Sequence, residues 1–324
     1  MLINNVLRPD VPLYLTDGGL ETTLIFHDGL DLPEFASFPM LDIQQGRERL
    51  IAYYQRYIDI ARRAGTGFIL ETPTWRASHK WANTLGYSDT DVDRFNTQAV
   101  DLMQVLRWSF ATQETPMLIS GCIGPQDDGY QPQNRMSAKE AEDYHRQQVQ
   151  AFRTSNADMV TATTMTYPDE AIGIANAGAA AGVPVVISFT VETDGCLPID
   201  ISLKEAIEQV DQEAEVPPAY YMINCAHPDH FNLVEGAPWL ERIGGVRANA
   251  SRMSHAELDE SETLDDGDPE EFGEQHRWLR GALPDLRVIG GCCGTDHRHV
   301  AAVAGTQNPG LAANLSKASG ELTP

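Results

Sequence analysis

The sequence predicts a single-domain α/β fold, a (β/α)₈ TIM barrel, and three observations carry that reading. Eight short β-branched or apolar runs recur along the chain. Amphipathic segments with cap signals separate them, the alternation that builds a parallel sheet. The 324 residues contain no internal repeat or low-complexity linker, and eight strand–helix units over about 300 residues suit a closed barrel better than an open sheet. The expected limits are a barrel over residues 1–305 and a polar tail over 306–324.

The eight runs fall at 13–16, 68–71, 117–120, 158–163, 185–189, 220–224, 245–248 and 287–290. Between them lie helix signals. Ser137 with Glu140 and Ser202 with Glu205 are spaced as capping boxes, in which each side chain accepts from the other residue's backbone N–H. Pro168, Asp169 and Glu170 open an alanine-rich helix that Gly182 should stop. Leu50, Ile51, Tyr54, Tyr57, Ile58 and Ala61 trace one apolar face of the first long helix, ended by Gly65. The connections 18–45 and 249–269 are long for this architecture, and long loops at that end of a barrel usually carry function. Segment 257–274 holds ten acidic residues and reads as a solvated lid or surface segment.

With 42% hydrophobic and 22% charged residues the chain can bury a sizeable core. Its 47 acidic against 23 basic residues give a net charge of -24, which favours solubility and leaves a modest bias toward cationic ligands. The same balance repels phosphate backbones and anionic surfaces, so nucleic acid and membranes are excluded as partners. The N-terminal MLINNVLRPD has no basic-then-apolar leader, and no run approaches the roughly 18 apolar residues of a membrane span, so a cytoplasmic protein is expected. In that compartment the five cysteines are thiols or metal ligands rather than disulfides. Oligomeric state stays open, a homo-oligomer included.

Chemistry in such a barrel sits just after the strands. Cys225 ends strand six, and Cys292 and Cys293 end strand eight. Strands of equal parity share interior layers, so the three thiols can converge. Any one of them could be an ordinary core cysteine. The adjacent pair between Gly290, Gly291 and Gly294 is different, because two side chains leaving one turn cannot fill one apolar slot and a disulfide between neighbours is strained. Three thiolates suit zinc, with the fourth position open for water or substrate. Cys122 and Cys196 are left as fillers. Gly18, Gly19, Gly290 and Gly291 either let backbone approach a ligand or simply make tight turns. Trp75 either faces a cation or packs.

TDGGLETTL at residues 16–24, INC at 223–225 and GGCCGT at 290–295 resemble the homocysteine S-methyltransferase family, from strand one to strand eight. The resemblance implies a zinc-dependent barrel enzyme that moves a methyl group from an onium donor, such as S-methylmethionine, S-adenosylmethionine or betaine, to the thiol of homocysteine. It places Cys225, Cys292 and Cys293 at the zinc-ligand positions and Asp17 where the family binds the substrate amino group. Gly18, Gly19, Glu21, Trp75, Thr163, Asn224 and Asn249 complete the expected substrate contacts.

This chain also departs from the family pattern. TPTWRAS at 72–78 replaces a segment with a tyrosine that can approach the metal, and Trp75 has no oxygen to offer. In TATTMTYPDEA, Thr163 stands where a glutamate would hold the substrate ammonium. RANASRMSHAELDE replaces the familiar strand-seven motif and keeps Asn249. Either another acid, Glu21 or one from the seventh loop, supplies the missing charge, or the acceptor is a different small thiol. A Schiff-base aldolase needs a strand-end lysine, and Lys80, Lys139, Lys204 and Lys317 are poorly placed for it. His297 and His299, two apart at a helix start, are expected on the surface, whereas His227 and His230 suit either the pocket or the surface. The non-enzymatic alternative is a zinc- or ligand-binding barrel without turnover.

Overall fold

The β-branched run Val185–Phe189 forms a fully buried strand, and seven others join it in chain order to close a parallel barrel. The strands are β1 (Tyr14–Leu15), β2 (Gly67–Glu71), β3 (Met117–Ile123), β4 (Met159–Met165), β5 (Val185–Phe189), β6 (Tyr221–Asn224), β7 (Ile243–Ala248) and β8 (Val288–Gly291). Closure is made by β1 pairing with β8, Tyr14 opposite Val288 and Leu15 opposite Ile289. This computed structural model describes residues 2–307. The polar tail expected from residue 306 lies outside them from 308 onward, and 306 and 307 belong to the last helix.

Between the strands run α1 (Leu20–Thr22), α2 (Gln44–Ala64), α3 (His79–Thr84), α4 (Asp89–Phe110), α5 (Ala138–Thr154), α6 (Pro168–Ala181), α7 (Leu203–Glu213), α8 (His255–Asp259), α9 (Pro269–Ala282) and α10 (His297–Gln307). Both expected capping boxes form, at Ser137/Glu140 and Ser202/Glu205, and two more form at Ser88/Asp91 and Ser254/Glu257. Gly65 and Gly182 end α2 and α6 in the left-handed conformation, which costs glycine little.

The structure corrects several strand limits. β3 runs on past Ser120 to Ile123, with Gly121 facing Phe152 of α5, and β4 runs past Thr163 to Met165, because Ser120, Cys122, Thr161 and Thr163 put small polar side chains into the barrel interior where a strand pattern would show apolar ones. There Ser120 donates to Glu71 at 3.1 Å and shares a hydrogen bond with Thr161 at 2.7 Å. Tyr14, Ile69, Met159, Val186, Met222 and Val288 form a separate apolar cluster, completed by Ile3, Leu7 and Val11 from the N-terminal segment. An apolar plug and a polar layer thus share the barrel. The histidine expectation also needs correction: His299 is 0% exposed, with its ring between Asp296 and the Asp266 carbonyl. The start of α10 is packed against α9, so residues two apart there are not both at the surface.

Candidate active site

β6 and β8 bring the three cysteines together, as the sequence predicts. Their Sγ atoms lie within 4.8 Å of one another, and those of Cys225 and Cys293 are 3.7 Å apart. A disulfide needs about 2.05 Å, so these are free thiols spaced around a common point, and the cluster can hold a metal ion. Cys225 has φ +57, in the left-handed region that a side chain of this kind rarely adopts. Its backbone is held there from both sides: its N–H donates to the Arg247 carbonyl, and its own carbonyl meets the His255 ring at 2.7 Å. The local strain, of order 1–3 kcal/mol, is offset by those fixed contacts and turns the thiol toward the cysteine pair.

Asn224 is the joint behind this turn. It accepts from Ser188 on β5 at 2.6 Å and from the Thr164 N–H on β4 at 2.9 Å, and it donates to the Thr164 hydroxyl. Thr164, with φ +61, lies in the irregular stretch of β4 where its register against β5 shifts. On the other side, Gly19 lets the first loop approach the cysteine turn, since a Cβ there would sit 2.6 Å from the Cys292 carbonyl oxygen. Gly18 and Gly19 line the cavity, while Gly290 and Gly291 pack beneath it, against Thr16 and Thr295. For that second pair the close approach is to protein, not ligand.

The thiols open on a cavity of about 460 Å³, within the range of small-molecule sites. Asp17, Glu21, Trp75, Thr163 and Asn224 line it, as does part of the acidic seventh loop through Leu258, Asp259, Ser261 and Asp265. That loop is therefore a wall of the site. Asn249 lies elsewhere: it is buried and does not line the cavity, and its backbone N–H pairs with Ala226. His227 and His230 are not among the lining residues either, and among the described residues no lysine is. Cys122, expected as a filler, does line the cavity, with its sulfur 3.5 Å from the Thr163 hydroxyl and burial pushing its thiol up.

Three residues the sequence reading passed over shape the site. Arg247, 9% exposed on β7, donates to Asp17 at 2.8 Å, to the Gly18 and Gly291 carbonyls, and to Glu71. Burial works against its cation, but Asp17 and Glu71 outweigh that and hold it charged. A charged residue inside the apolar run GGVRA was the available signal. Tyr130, from the loop after β3, brings its hydroxyl to 3.2 Å from the Cys225 sulfur and stacks on His255 at 4.0 Å. It supplies a phenol beside the thiols where Trp75 offers none; nothing in the local sequence marks it. Arg76, beside Trp75, lines the cavity and is 8% exposed.

Electrostatics divides the acids. Asp17 is pushed up to about 6 by burial, against the pull of Arg247, and its second oxygen accepts from Tyr53 at 3.0 Å. Glu21 is pushed up to about 7, again chiefly by burial, and accepts from the Ser37 hydroxyl at 2.7 Å. Among the thiols the first negative charge falls on Cys292, lowered by hydrogen bonds from Cys225 and Cys293, with Arg247 adding to the effect. The same sharing raises Cys225 and Cys293.

Comparison with known proteins agrees with the geometry. The family model for homocysteine S-methyltransferase matches residues 14–306. No curated protein matches the sequence. Among solved structures, the homocysteine methyltransferase MmuM of Escherichia coli is similar in its metallated form, with TM-score 0.69 and 19% identity over 93% of this chain and 99% of that one. Its oxidized form gives TM-score 0.68 and 19% identity over 93% and 98%, and its apo form 0.64 and 18% over 94% and 99%. At that identity the likeness speaks to the barrel. The family match spans all eight strands and both cysteine segments, and so this chain is an enzyme of the homocysteine S-methyltransferase family.

Proposed function

We propose that this enzyme is a zinc-dependent methyltransferase that moves a methyl group from S-methylmethionine, S-adenosylmethionine or a betaine-type donor to the thiol of homocysteine, giving methionine. The observation that carries the reading is the thiol triad at the cavity wall. Zinc with Zn–S bonds of about 2.3 Å separates its sulfurs by about 3.8 Å, and Cys225 and Cys293 stand 3.7 Å apart. Cys225, Cys292 and Cys293 would hold the ion. When bound it supplies one thing, the deprotonation of a substrate thiol that is mostly protonated at neutral pH. Family membership and the likeness to the E. coli homocysteine methyltransferase support the acceptor.

The remaining work belongs to the chain. Asn224 and the left-handed turn at Cys225 aim the thiols, and Phe26, Phe35 and Trp75 give the cavity an aromatic wall suited to a cationic donor. In the transfer the donor's carbon–sulfur or carbon–nitrogen bond breaks as the acceptor's carbon–sulfur bond forms. The donor gives up its positive charge and the thiol proton goes to solvent. No proton moves at the reacting carbon, so alignment is what the protein contributes. No helix among the described residues is long and apolar enough to cross a membrane. Free thiols of this kind persist in a reducing compartment, and we place the enzyme in the cytoplasm.

The occupied Asp17 and the hydroxyl of Thr163 favour a second reading, the same transfer to a different small thiol. A panel of donors and thiols separates the two. Purified protein should hold about one zinc per chain and methylate homocysteine, and Cys292→Ala should lose both. Full activity in zinc-free Cys292→Ala would overturn the mechanism; inert homocysteine beside another methylated thiol would select the second reading.

A further inference from the structure

Arg76 follows β2 and lines the same cavity as the cysteines. It is only 8% exposed. Its guanidinium carbon lies over two indoles, 4.2 Å from the Trp75 ring centroid and 3.5 Å from that of Trp81, and Nη1 donates to the Asp127 carbonyl at 3.3 Å. Nε is buried with no hydrogen-bond partner. Among the described residues no carboxylate forms an ion pair with Arg76, although Asp128, Glu34 and Glu21 act on it from further away. Taking a cation out of water without an acid beside it is costly, and a chain with 47 acidic residues has no shortage of acids to place there. An anion that arrives with the ligand would resolve the imbalance.

Glu21 presents the opposite case on the same cavity. Its only side-chain hydrogen-bond partner among the described residues is the Ser37 hydroxyl, and no cation pairs with it. The acid the family resemblance assigned to the substrate amino group, Asp17, already accepts at each oxygen, from Arg247 and Tyr53, and its charge is paired with Arg247. Thr163 brings no charge. We propose that Glu21 and Arg76 form a clamp for the α-amino-acid headgroup of a substrate, Glu21 accepting from its ammonium and Arg76 donating to its carboxylate. This assignment rests on the methyl-transfer reading above and specifies which residues select its substrate. Homocysteine and S-methylmethionine both carry such a headgroup.

The test uses the zinc-loaded full chain and ligands that do not react, so that binding is measured apart from turnover. By calorimetry, L-methionine is compared with 3-(methylthio)propylamine, which lacks the carboxylate, and 4-(methylthio)butanoate, which lacks the ammonium. Arg76→Met should weaken methionine about tenfold to a hundredfold and leave the amine unchanged; Glu21→Gln should weaken methionine similarly and leave the butanoate unchanged. Arg76→Lys should restore part of the loss. Equal weakening of all three ligands in either variant, or none, would overturn the clamp, and because the comparison is made within each variant a general loss of folding cannot imitate the expected pattern. The KM that rises in Arg76→Met, for homocysteine or for S-methylmethionine, says which substrate the clamp serves. Selective binding without turnover on any donor would leave the clamp standing and remove the methyl-transfer reading.

Discussion

Two acid–arginine sets face the same cavity and are built in opposite ways. At the strand ends, Arg247 is engaged by Asp17, Glu71 and two backbone carbonyls. Beyond them, Arg76 in the loop after β2 and Glu21 in α1 have no ionic partner among the described residues. The first set is closed and therefore structural: it ties β1, β2 and β7 together beneath the thiols. The second is open and therefore available to a ligand. What the contrast teaches is that a buried charge says little about binding until its partners are counted.

The largest expected effect breaks the closed set. Arg247→Met leaves Asp17 and Glu71 facing each other with no cation, and should cost about 3–5 kcal/mol in denaturant unfolding or prevent soluble expression. Arg76→Met should cost under about 1 kcal/mol, since what it removes is indole stacking and one long hydrogen bond to the Asp127 carbonyl, with no ion pair broken. Similar losses for both would show that the two sets do not differ in kind.

Next in size is the approach of the first loop to the cysteine turn. Gly19→Ala puts a Cβ 2.6 Å from the Cys292 carbonyl and 2.4 Å from the Thr22 hydroxyl, and backbone has to move. A loss of about 1–3 kcal/mol and weaker zinc retention are expected, read by thermal melts and metal analysis.

A pH series sharpens the open set. Burial favours the protonated form of Glu21 and pushes it up to about 7. Its contribution to stability is therefore present at low pH and is lost as pH rises from the ordinary carboxyl range through 7. Binding runs the other way, because only the carboxylate attracts an ammonium. Methionine should bind more tightly at pH 8 than at pH 6, and Glu21→Gln should flatten that dependence in calorimetry. The smallest effect belongs to Tyr130→Phe, which removes one hydroxyl 3.2 Å from the Cys225 sulfur. About 0.5–1.5 kcal/mol is expected, seen as a few-fold faster loss of zinc to a chelator.

Much of this site could be read before folding. Cys225, Cys292 and Cys293 each stand at the end of a strand run, and strand ends are where a barrel gathers its chemistry. Asp17 was legible through the family resemblance and Glu21 as an acid able to supply the charge that Thr163 lacks, and both line the cavity. Asn249 was misplaced because its position after β7 says nothing about which way that turn packs, and it is buried against Ala226 instead. Tyr130 was invisible because its loop is ordinary in sequence and becomes informative only by reaching Cys225, 95 residues away.

By itself the sequence determined the strand and helix alternation, the capping residues, the closed parallel barrel and the three thiols, since each depends on local periodicity or on position along a strand. Only the tertiary structure decided which charges are already satisfied. Arg247 meets Asp17 across 230 residues and Glu71 across 176, and that pairing exists because closing the barrel brings β7 to the strands that carry them. Whether an acid is open to a ligand depends on what stands beside it in space, and local pattern carries no trace of a neighbour so distant in the chain.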